Sequence, residues 1–370
     1  MASSLLFIAD ISGFTRFVNE TELSHSRHVI SELLEAIIDT NEIDLEVAEI
    51  EGDAVLFYKY GSVPSIEDLI NQCRRMFVEF HSHLLNYKHR RICDCGACRT
   101  AQDLTIKFVA HSGDFNFLKV KEHRKPHGSD VVLTHRLLKN NIQGKEYLLL
   151  TDTFSQDLNE GKVLSQHSWT SMSTGITKYD DIGEVAYYYL PLEKLHDEVE
   201  VKPTTYPELT NDPIVLEGEV GLDSKLLFEL ITNFDFRDQW NNEALRLEYE
   251  QERVNRMGTR HVCVFENDNL EFETVTNDFG PGKLVYGERL RDYKFIKEAT
   301  NYFILEPKGD QTFLRIESHL RAKQLLVRLF SPFYKAVFRK NIKKVLRNIQ
   351  EAAEKFKARG LDKKIAQAAF

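Results

Sequence analysis

Carboxylates at the ends of two apolar strands are the first chemical feature of the sequence. Asp10 follows the apolar run Leu5–Ala9, and Asp53 lies at the tip of a predicted hairpin formed by Glu46–Ile50 and Ala54–Tyr58. Carboxylates that converge from strand ends can hold hard cations such as Mg²⁺ or Mn²⁺, which prefer oxygen ligands. An aspartate at a hairpin tip also serves ordinary turn chemistry, so the spacing alone leaves both interpretations open.

The residues after Asp10 provide a candidate phosphate-binding segment. Gly13, Phe14 and Thr15 begin a predicted helix, and backbone N–H groups at the start of a helix can bind phosphate oxygens. Two metal-binding carboxylates beside such a segment are the parts needed to position a nucleoside triphosphate for displacement at phosphorus. The spacing therefore indicates a candidate site for a metal ion and a nucleotide.

Three cysteines, Cys93, Cys95 and Cys98, lie within six residues of sequence. Thiols at this spacing can bind Zn²⁺, with a histidine from residues 81–89 as the expected fourth ligand. Basic residues on both sides would lower the thiol pKa values, which favours metal binding or oxidation. The alternative is a loop whose thiols stay reduced and free of metal.

The composition is that of a globular chain with more than one domain. The 370 residues are 42% hydrophobic and 28% charged, which excludes a disordered or fibrous protein, and the length suits two or three domains. No apolar run approaches the roughly 20 residues of a membrane span, and the N-terminus lacks the basic segment of a signal peptide. We therefore expect a cytoplasmic protein that is not integral to a membrane.

The net charge of −9 is distributed unevenly along the chain. Residues 321–364 carry 14 lysines and arginines against three acidic residues, so a basic C-terminal part follows an acidic body. This asymmetry indicates an electrostatic contact within the protein or with an anionic partner. Neither interleaved aromatic residues nor a nucleic-acid motif accompanies the basic residues, so we expect no nucleic acid as partner.

Hydrophobic periodicity divides the chain into two domains of different pattern. Residues 1–192 alternate strand and helix signals, and the polar, proline-containing residues 193–212 read as a linker. Residues 213–358 start with a strand and a helix, continue through several strands and end in one long helix, and residues 359–370 form a basic tail. We predict an α+β protein, with an antiparallel-rich sheet and helices followed by an antiparallel sheet around a long C-terminal helix.

The first domain resembles the class III adenylyl and guanylyl cyclases. Phe7-Ile-Ala-Asp-Ile-Ser-Gly-Phe-Thr15 is similar to their opening motif and Glu49-Ile-Glu-Gly-Asp-Ala-Val55 to their second. Later matches are His111-Ser-Gly-Asp114, Gly128-Ser-Asp-Val-Val-Leu-Thr-His-Arg136 and Ile182-Gly-Glu-Val-Ala-Tyr-Tyr-Tyr-Leu190, in the order of the family. The chain is most similar to an uncharacterised bacterial cyclase-homology family that also carries a Cys-x-Cys-x-x-Cys run. The resemblance implies a ferredoxin-like domain that forms a homodimer, because the active site of this family lies between two protomers.

This resemblance also implies roles for particular residues. Asp10 and Asp53 match the two aspartates that hold Mg²⁺ or Mn²⁺, with the carbonyl of Ile11 as a further metal ligand. Arg136 matches the arginine that stabilises the pentavalent transition state. Gly13, Phe14 and Thr15 fall where the family binds phosphate.

The positions that would read the base and hold the rest of the nucleotide are less well preserved. Glu49 stands at the base-reading position, where a carboxylate favours guanine, and Lys125 falls at the second such position. The ribose-binding asparagine is replaced by Val132, and the γ-phosphate lysine position falls near Asp181, a reversal of charge, although Lys178 is close in sequence. Since one lost transition-state donor costs about 10²–10³ in kcat, we interpret the domain as a partly degenerate cyclase that binds metal and a purine nucleotide. The alternative is an active purine nucleotidyl cyclase.

Residues 213–358 resemble the START-like (SRPBCC) superfamily of helix-grip proteins, which includes polyketide cyclases. The similar features are the helix Asp223–Thr232, the Asp-x-x-x-Gln-Trp240 segment, the run of strands and the long last helix. The resemblance implies a cavity between sheet and helix that takes an apolar small molecule or a lipid. Together the two domains suggest a signalling or sensor protein.

Overall fold

The structure is a computed structural model of the chain. It describes residues 3–19, 21, 23–93, 95–156, 158, 160–200, 205–241, 243–251, 253–323 and 331–358. The chain divides into two compact units: the first comprises residues 1–20, 26–86 and 100–202, and the second comprises 21–25, 87–99 and 203–370. The predicted basic tail at 359–370 lies outside the described residues.

The first unit is built on one large sheet. The strands in this part of the chain are β1 (Ser4–Ser12), β2 (Glu46–Glu51), β3 (Ala54–Lys59), β4 (Thr105–Gly113), β5 (Asn116–Val120), β6 (His123–His127), β7 (Tyr147–Thr151), β8 (Ser173–Tyr179) and β9 (Gly183–Pro191). Seven of them form a sheet in the order β2-β3-β1-β4-β7-β9-β8, while β5 and β6 form a separate hairpin. Strands β4 and β7 run parallel, and the other described pairs are antiparallel.

Amphipathic helices accompany this sheet. The helices within residues 1–202 are α1 (Phe14–Asn19), α2 (Leu23–Asp39), α3 (Ile66–His89), α4 (Gly96–Thr100), α5 (Ser129–Arg136) and α6 (Glu160–Gln166). Helix α3 begins as its sequence predicts, because the Ser65 hydroxyl accepts a hydrogen bond from the Asp68 N–H at 3.1 Å. Its apolar stripe, which includes Leu69, Phe77 and Phe80, is fully buried. The central strand β1 is also buried along its apolar run, as expected for a strand covered on both faces.

The second unit contains another seven-stranded sheet. Its strands are β10 (Ile214–Val220), β11 (Arg246–Glu248), β12 (Arg260–Val264), β13 (Asn269–Val275), β14 (Leu284–Arg291), β15 (Ile296–Lys308) and β16 (Gln311–Ala322). They pair antiparallel in the order β10-β16-β15-β14-β13-β12-β11. Among the described residues of this unit, the α-helices are α7 (Ser224–Thr232), α8 (Arg237–Trp240) and α9 (Ser331–Ala358).

A hydrophobic core joins α9 to this sheet. Trp240, Tyr286, Phe303, Ile349 and Phe356 are all buried in one cluster. The predicted α+β class, with large antiparallel sheets and a long C-terminal helix, is confirmed. Among the described residues, no helix has the length and apolar character needed to cross a bilayer.

Part of the predicted linker has regular structure. Residues Glu193–Glu198 form a 3₁₀ helix in which Leu195 is fully buried. The N–H of Leu192 donates to the carbonyl of Glu146 at 3.1 Å, so this helix lies beside the start of β7. Residues 201–204 of the linker lie outside the described residues.

Candidate functional site

Asp10 and Asp53 lie at neighbouring ends of paired strands. Asp10 is opposite Ala54 in the β1–β3 register, and the N–H of buried Ile11 donates to the carbonyl of Asp53 at 2.9 Å. Burial, and then the negative charge of Asp10, raises the pKa of the Asp53 carboxyl. Since two close carboxylates disfavour each other's ionised form, a cation placed between them would relieve the repulsion. The structure therefore brings these two aspartates and Ile11 together.

A lysine that sequence analysis did not identify occupies part of this site. Lys107 is opposite Asp10 in the β1–β4 register, and its Nζ is 3.1 Å from Asp10 Oδ2. The same Nζ donates to the carbonyl of Leu138 at 3.2 Å. The ammonium group thus neutralises Asp10. The sequence shows a lysine between the apolar residues Ile106 and Phe108, but only the strand register shows which carboxylate this lysine meets.

The predicted phosphate segment lies beside the same hairpin. Gly13 has a φ of +92°, a conformation that favours glycine, and α1 begins at Phe14. A Cβ built on Gly52 would lie 3.8 Å from the Phe14 ring, so this ring borders the turn that carries Asp53. Gly13 and Thr15 are exposed. The segment is therefore positioned next to the two aspartates, on a helix of only six residues.

Glu49 and Lys125, the two expected base-reading residues, contact each other. Lys125 Nζ is 3.0 Å from Glu49 Oε2, and both side chains are partly exposed. Glu49 follows an irregularity in the β2–β3 pairing, and Lys125 lies on the β5–β6 hairpin. Aromatic contacts position this hairpin, since the rings of Phe115 and Phe117 both meet Tyr58 at less than 6 Å between centroids. The pair offers a hydrogen-bond acceptor and a donor side by side.

Arg136 is the last residue of α5 and is exposed. The contacts described for a single chain do not join it to Asp10 or Asp53. Its neighbour His135 lies 3.4 Å from Glu51, measured from Nδ1 to Oε2, so the end of α5 lies near the β2–β3 hairpin. Within one chain Arg136 is therefore beside the aspartate site without completing it.

The three cysteines of the predicted zinc cluster meet a histidine from far away in the sequence. His25 Nδ1 is 3.2 Å from the Sγ of Cys95, 3.7 Å from that of Cys98 and 3.8 Å from that of Cys93. The Cys93 and Cys95 sulfurs are 3.5 Å apart. Ligands of a tetrahedral Zn²⁺ with bonds of about 2.0–2.3 Å are separated by roughly 3.3–3.8 Å. The four donor atoms therefore have the spacing of a Cys₃His zinc site.

The second unit holds this cysteine segment in place. Arg91 pairs with Arg256 as an isolated β-bridge, and the N–H of Met257 donates to the carbonyl of Arg90 at 2.8 Å. The side chain of Ile92 belongs to the core of the second unit. Hydrogen bonds from its neighbouring thiols hold the pKa of the Cys93 thiol well below its usual range, while the hydrogen bonds with Cys93 raise the pKa of the Cys95 and Cys98 thiols.

The expectation of a fourth ligand from residues 81–89 was wrong. His81 and His83 instead contact Glu146 and Glu32, and His89 is not part of the cluster. His25 lies 68 residues before Cys93. No local pattern joins residues at that separation, so the sequence carried no signal for this ligand.

The second unit also contains a small hollow and a buried polar network. The hollow has a volume of about 460 Å³ and is lined by Thr210, Asn211, Asp212, Ile214, Ser318, Leu320 and Lys335. In the network, Arg237 pairs with Glu288, which also accepts a hydrogen bond from the Tyr286 hydroxyl at 2.7 Å. His261 is buried beside this network, with its Nε2 3.7 Å from Glu288 Oε1.

Comparisons with known proteins define the family of the chain. A family profile described as "Protein of unknown function (DUF2652)" matches residues 30–147. The uncharacterized protein Rv2561/Rv2562 of Mycobacterium tuberculosis is 34% identical over 164 residues, which cover 44% of this chain and 73% of that protein. The chain therefore belongs to the same family as this mycobacterial protein.

Solved structures of two kinds are similar to part of the chain at low sequence identity. The guanylate cyclase domain of RhGC from Catenaria anguillulae, solved in complex with GTP, is 16% identical with a TM-score of 0.36, over 51% of this chain and 96% of that one. A START superfamily protein from Mycobacterium smegmatis is 15% identical with a TM-score of 0.32, over 39% of this chain and 98% of that one.

Proposed function

We propose that residues 1–192 bind a purine nucleoside triphosphate together with Mg²⁺ or Mn²⁺ at the Asp10–Asp53 site. The observation that carries this proposal is the close pair of carboxylates, in which the charge of Asp10 contributes to the raised pKa of Asp53. A divalent cation with oxygen ligands would stabilise both carboxylates in their ionised form. The exposed backbone at Gly13 and Thr15 would then face the phosphates.

The Glu49–Lys125 pair supports a purine, with guanine preferred over adenine. A carboxylate at Glu49 would accept hydrogen bonds from guanine N1–H and the exocyclic amine, and the ammonium of Lys125 would donate to O6. Adenine has neither an N1–H nor an O6, so it would form fewer hydrogen bonds with the same pair. We therefore expect GTP to bind more tightly than ATP.

Four features argue for binding with weak or no turnover. Lys107 already neutralises Asp10, so a metal ion must compete with it. Val132 cannot hydrogen-bond a ribose, and the position of the γ-phosphate lysine falls near Asp181. Because Arg136 is not joined to the aspartates within one chain, a complete site would need a homodimer. This combination suits a nucleotide-dependent signalling protein better than a fast enzyme.

Thermal unfolding with GTP, ATP, CTP or UTP in Mn²⁺ tests this proposal. At about 100 times its Kd, a ligand stabilises its domain by roughly 2.7 kcal/mol, which is a shift of several degrees for a domain of about 190 residues. We expect a shift with GTP that Asp10→Asn abolishes. The matched control Asp44→Asn, at a side chain that is 96% exposed, should keep it. Absence of any nucleotide shift, or a shift that survives Asp10→Asn, would refute the proposal.

A product assay separates binding from the alternative function. If the purified protein makes a cyclic nucleotide from GTP or ATP, and Asp53→Ala abolishes the product, the protein is an active purine nucleotidyl cyclase. If nucleotide binds without product, the role is that of a binding module.

We further propose that the Cys₃His cluster holds Zn²⁺ as a structural ion. The donor set is complete with four protein ligands, and Cys98 is buried, both of which are typical of structural zinc. Zinc analysis of the purified chain should find this ion, and its Co²⁺-substituted form should show thiolate-to-cobalt charge transfer. Cys95→Ser should weaken that absorption, whereas Cys263→Ala, at a free thiol outside the cluster, should preserve it. Equal spectra for the two variants would contradict the assignment.

A ligand-binding role for the second unit is a further proposal. The hollow of about 460 Å³ combines apolar side chains, Ile214 and Leu320, with Lys335, whose ammonium pairs with Asp212 in the same lining. This lining suits a small amphipathic molecule or a lipid. Binding of a fluorescent fatty acid, and its loss in Leu320→Glu but not in Leu245→Glu at an exposed site, would support this role. No binding, or equal binding by both variants, would contradict it.

A further inference from the structure

A second group of metal-ligating side chains lies in the first unit, on other elements than the Asp10–Asp53 site. His81 comes from α3, Glu146 immediately precedes β7, and His196 lies on the 3₁₀ helix at residues 193–198. Their candidate donor atoms all lie within 4.8 Å of one another. Side chains 65 and 50 residues apart in sequence therefore converge on one point.

The contacts within this group are short. His196 Nε2 lies 2.7 Å from Glu146 Oε2 with hydrogen-bond geometry. His81 Nε2 lies equally close to Glu146 Oε1, at 2.7 Å, and both of these atoms are fully buried. The two imidazoles therefore meet the two oxygens of one buried carboxylate, and the donor atoms of all three side chains converge.

The surroundings hold the three side chains in position. The ring of Phe77 packs against His81 at 4.3 Å and His196 at 5.1 Å between centroids. Arg74 Nε binds Glu198 Oε2 at 2.7 Å, which attaches the 3₁₀ helix to α3. The donors are thus oriented by their neighbours before any ligand arrives, which lowers the entropic cost of binding.

We propose that His81, Glu146 and His196 form a second zinc site, distinct from the cysteine cluster. Two imidazoles and one carboxylate are a common ligand set for Zn²⁺, with bonds of about 2.0–2.2 Å and ligand separations near 3.3 Å. The observed separations of 2.7 Å need to open by only about 0.6 Å to meet that geometry. His196 is 48% exposed, so a solvent molecule or small anion completes the coordination. The cysteine cluster, in contrast, supplies four protein ligands.

Metal stoichiometry of the full-length chain tests this proposal. The protein is stripped with a chelator, supplied with excess Mg²⁺ to occupy carboxylate sites, and titrated with Zn²⁺. The wild type should bind two equivalents. His196→Gln should bind one, with the affinity of the second equivalent falling by more than about 100-fold, as expected for a direct ligand. The exposed position of His196 allows this substitution without loss of the fold.

Three further measurements distinguish the sites. His123→Gln, at an exposed histidine on β6, is the matched control and should still bind two equivalents. The Co²⁺-substituted His196→Gln protein should retain the thiolate-to-cobalt absorption, because the cysteine cluster is intact. Glu146→Gln should reproduce the loss of one equivalent. A His196→Gln protein that binds as many equivalents of Zn²⁺ as the wild type, or a wild type that binds one equivalent with full thiolate-to-cobalt absorption in its Co²⁺ form, would overturn the proposal.

Discussion

Replacing Glu288 with glutamine removes the negative charge from a buried ion pair and leaves the guanidinium of Arg237 in place. Arg237 Nη2 is 2.8 Å from one carboxylate oxygen of Glu288, its Nη1 contacts the other, and both side chains are 5% exposed. Removing one partner of a buried pair costs about 3–5 kcal/mol, because the remaining charge has lost its solvent and its counter-ion. Glu288→Gln should therefore lower the free energy of unfolding of the second unit by that amount.

The acid–base chemistry of the pair gives a second, independent magnitude. Burial opposes ionisation of Glu288, but the charge and hydrogen bonds of Arg237 outweigh it and lower the pKa to about 2, against an ordinary value of 4.5. That difference corresponds to about 3 kcal/mol. Because the folded-state pKa lies below the unfolded one, this stability is complete above about pH 4.5 and is lost as the pH falls towards 2. Glu288→Gln should lack this pH dependence.

Urea unfolding at pH 7 measures the loss of stability in Glu288→Gln. Fluorescence of Trp240 reports the transition, because the guanidinium carbon of Arg237 lies 4.1 Å from the centroid of its ring. In thermal scans, 3–5 kcal/mol corresponds to a fall in Tm of roughly 6–20 °C for a unit of this size. The control Glu271→Gln breaks an exposed pair with Arg260 and should cost less than about 1 kcal/mol. A loss below about 1 kcal/mol for Glu288→Gln would refute the reasoning. In the double variant Arg237→Met/Glu288→Leu, apolar replacement of both partners removes the unpaired charge, so this variant should be at least as stable as Glu288→Gln. A double variant less stable than Glu288→Gln would also refute the reasoning.

Three further perturbations have defined outcomes. Lys107→Met removes the cation that competes for Asp10 and should raise Mn²⁺ affinity by about tenfold or more; an unchanged affinity in a Mn²⁺ titration would contradict the assigned competition. Burial lowers the pKa of His261 to about 4 from 6.5, so the stability of the wild type should decrease as the pH falls from 6.5 to 4. Urea unfolding of His261→Phe should show a smaller decrease over that range. Gly175→Ala would place a Cβ 2.5 Å from the Tyr187 ring and should destabilise the first unit by about 1–3 kcal/mol. A Tm equal to that of the wild type would show that the ring moves aside.

Local signals in the sequence predicted the elements of the fold well. Ser65 caps α3 as predicted, and Asp223 caps α7 by accepting from the N–H of Lys225 at 2.9 Å. The long last helix follows from apolar residues at steps of three and four, and its Ile349 and Phe356 are fully buried. Capping and periodicity act over a few residues, so a sequence displays them directly.

The residues that complete the candidate sites were not predictable in this way. Lys107 meets Asp10 through strand register, and His25 meets the cysteines across 68 residues of chain. Glu146 joins two histidines that lie 65 residues before it and 50 residues after it. These partners are selected by tertiary structure, and a single sequence holds no local pattern for them.

The two proposed zinc sites differ in how much the surrounding chain depends on the bound ion for its stability. At the cysteine cluster the protein supplies all four ligands, and three of them lie on the short segment 87–99. Such a segment gains much of its stability from the ion, because binding closes the loop and fixes the ligands together. At His81–Glu146–His196 the ligands lie on elements held by Phe77 and by the Arg74–Glu198 pair. Removal of zinc should therefore loosen the first site and leave the second folded, which fits a structural ion in one and an exchangeable ion in the other.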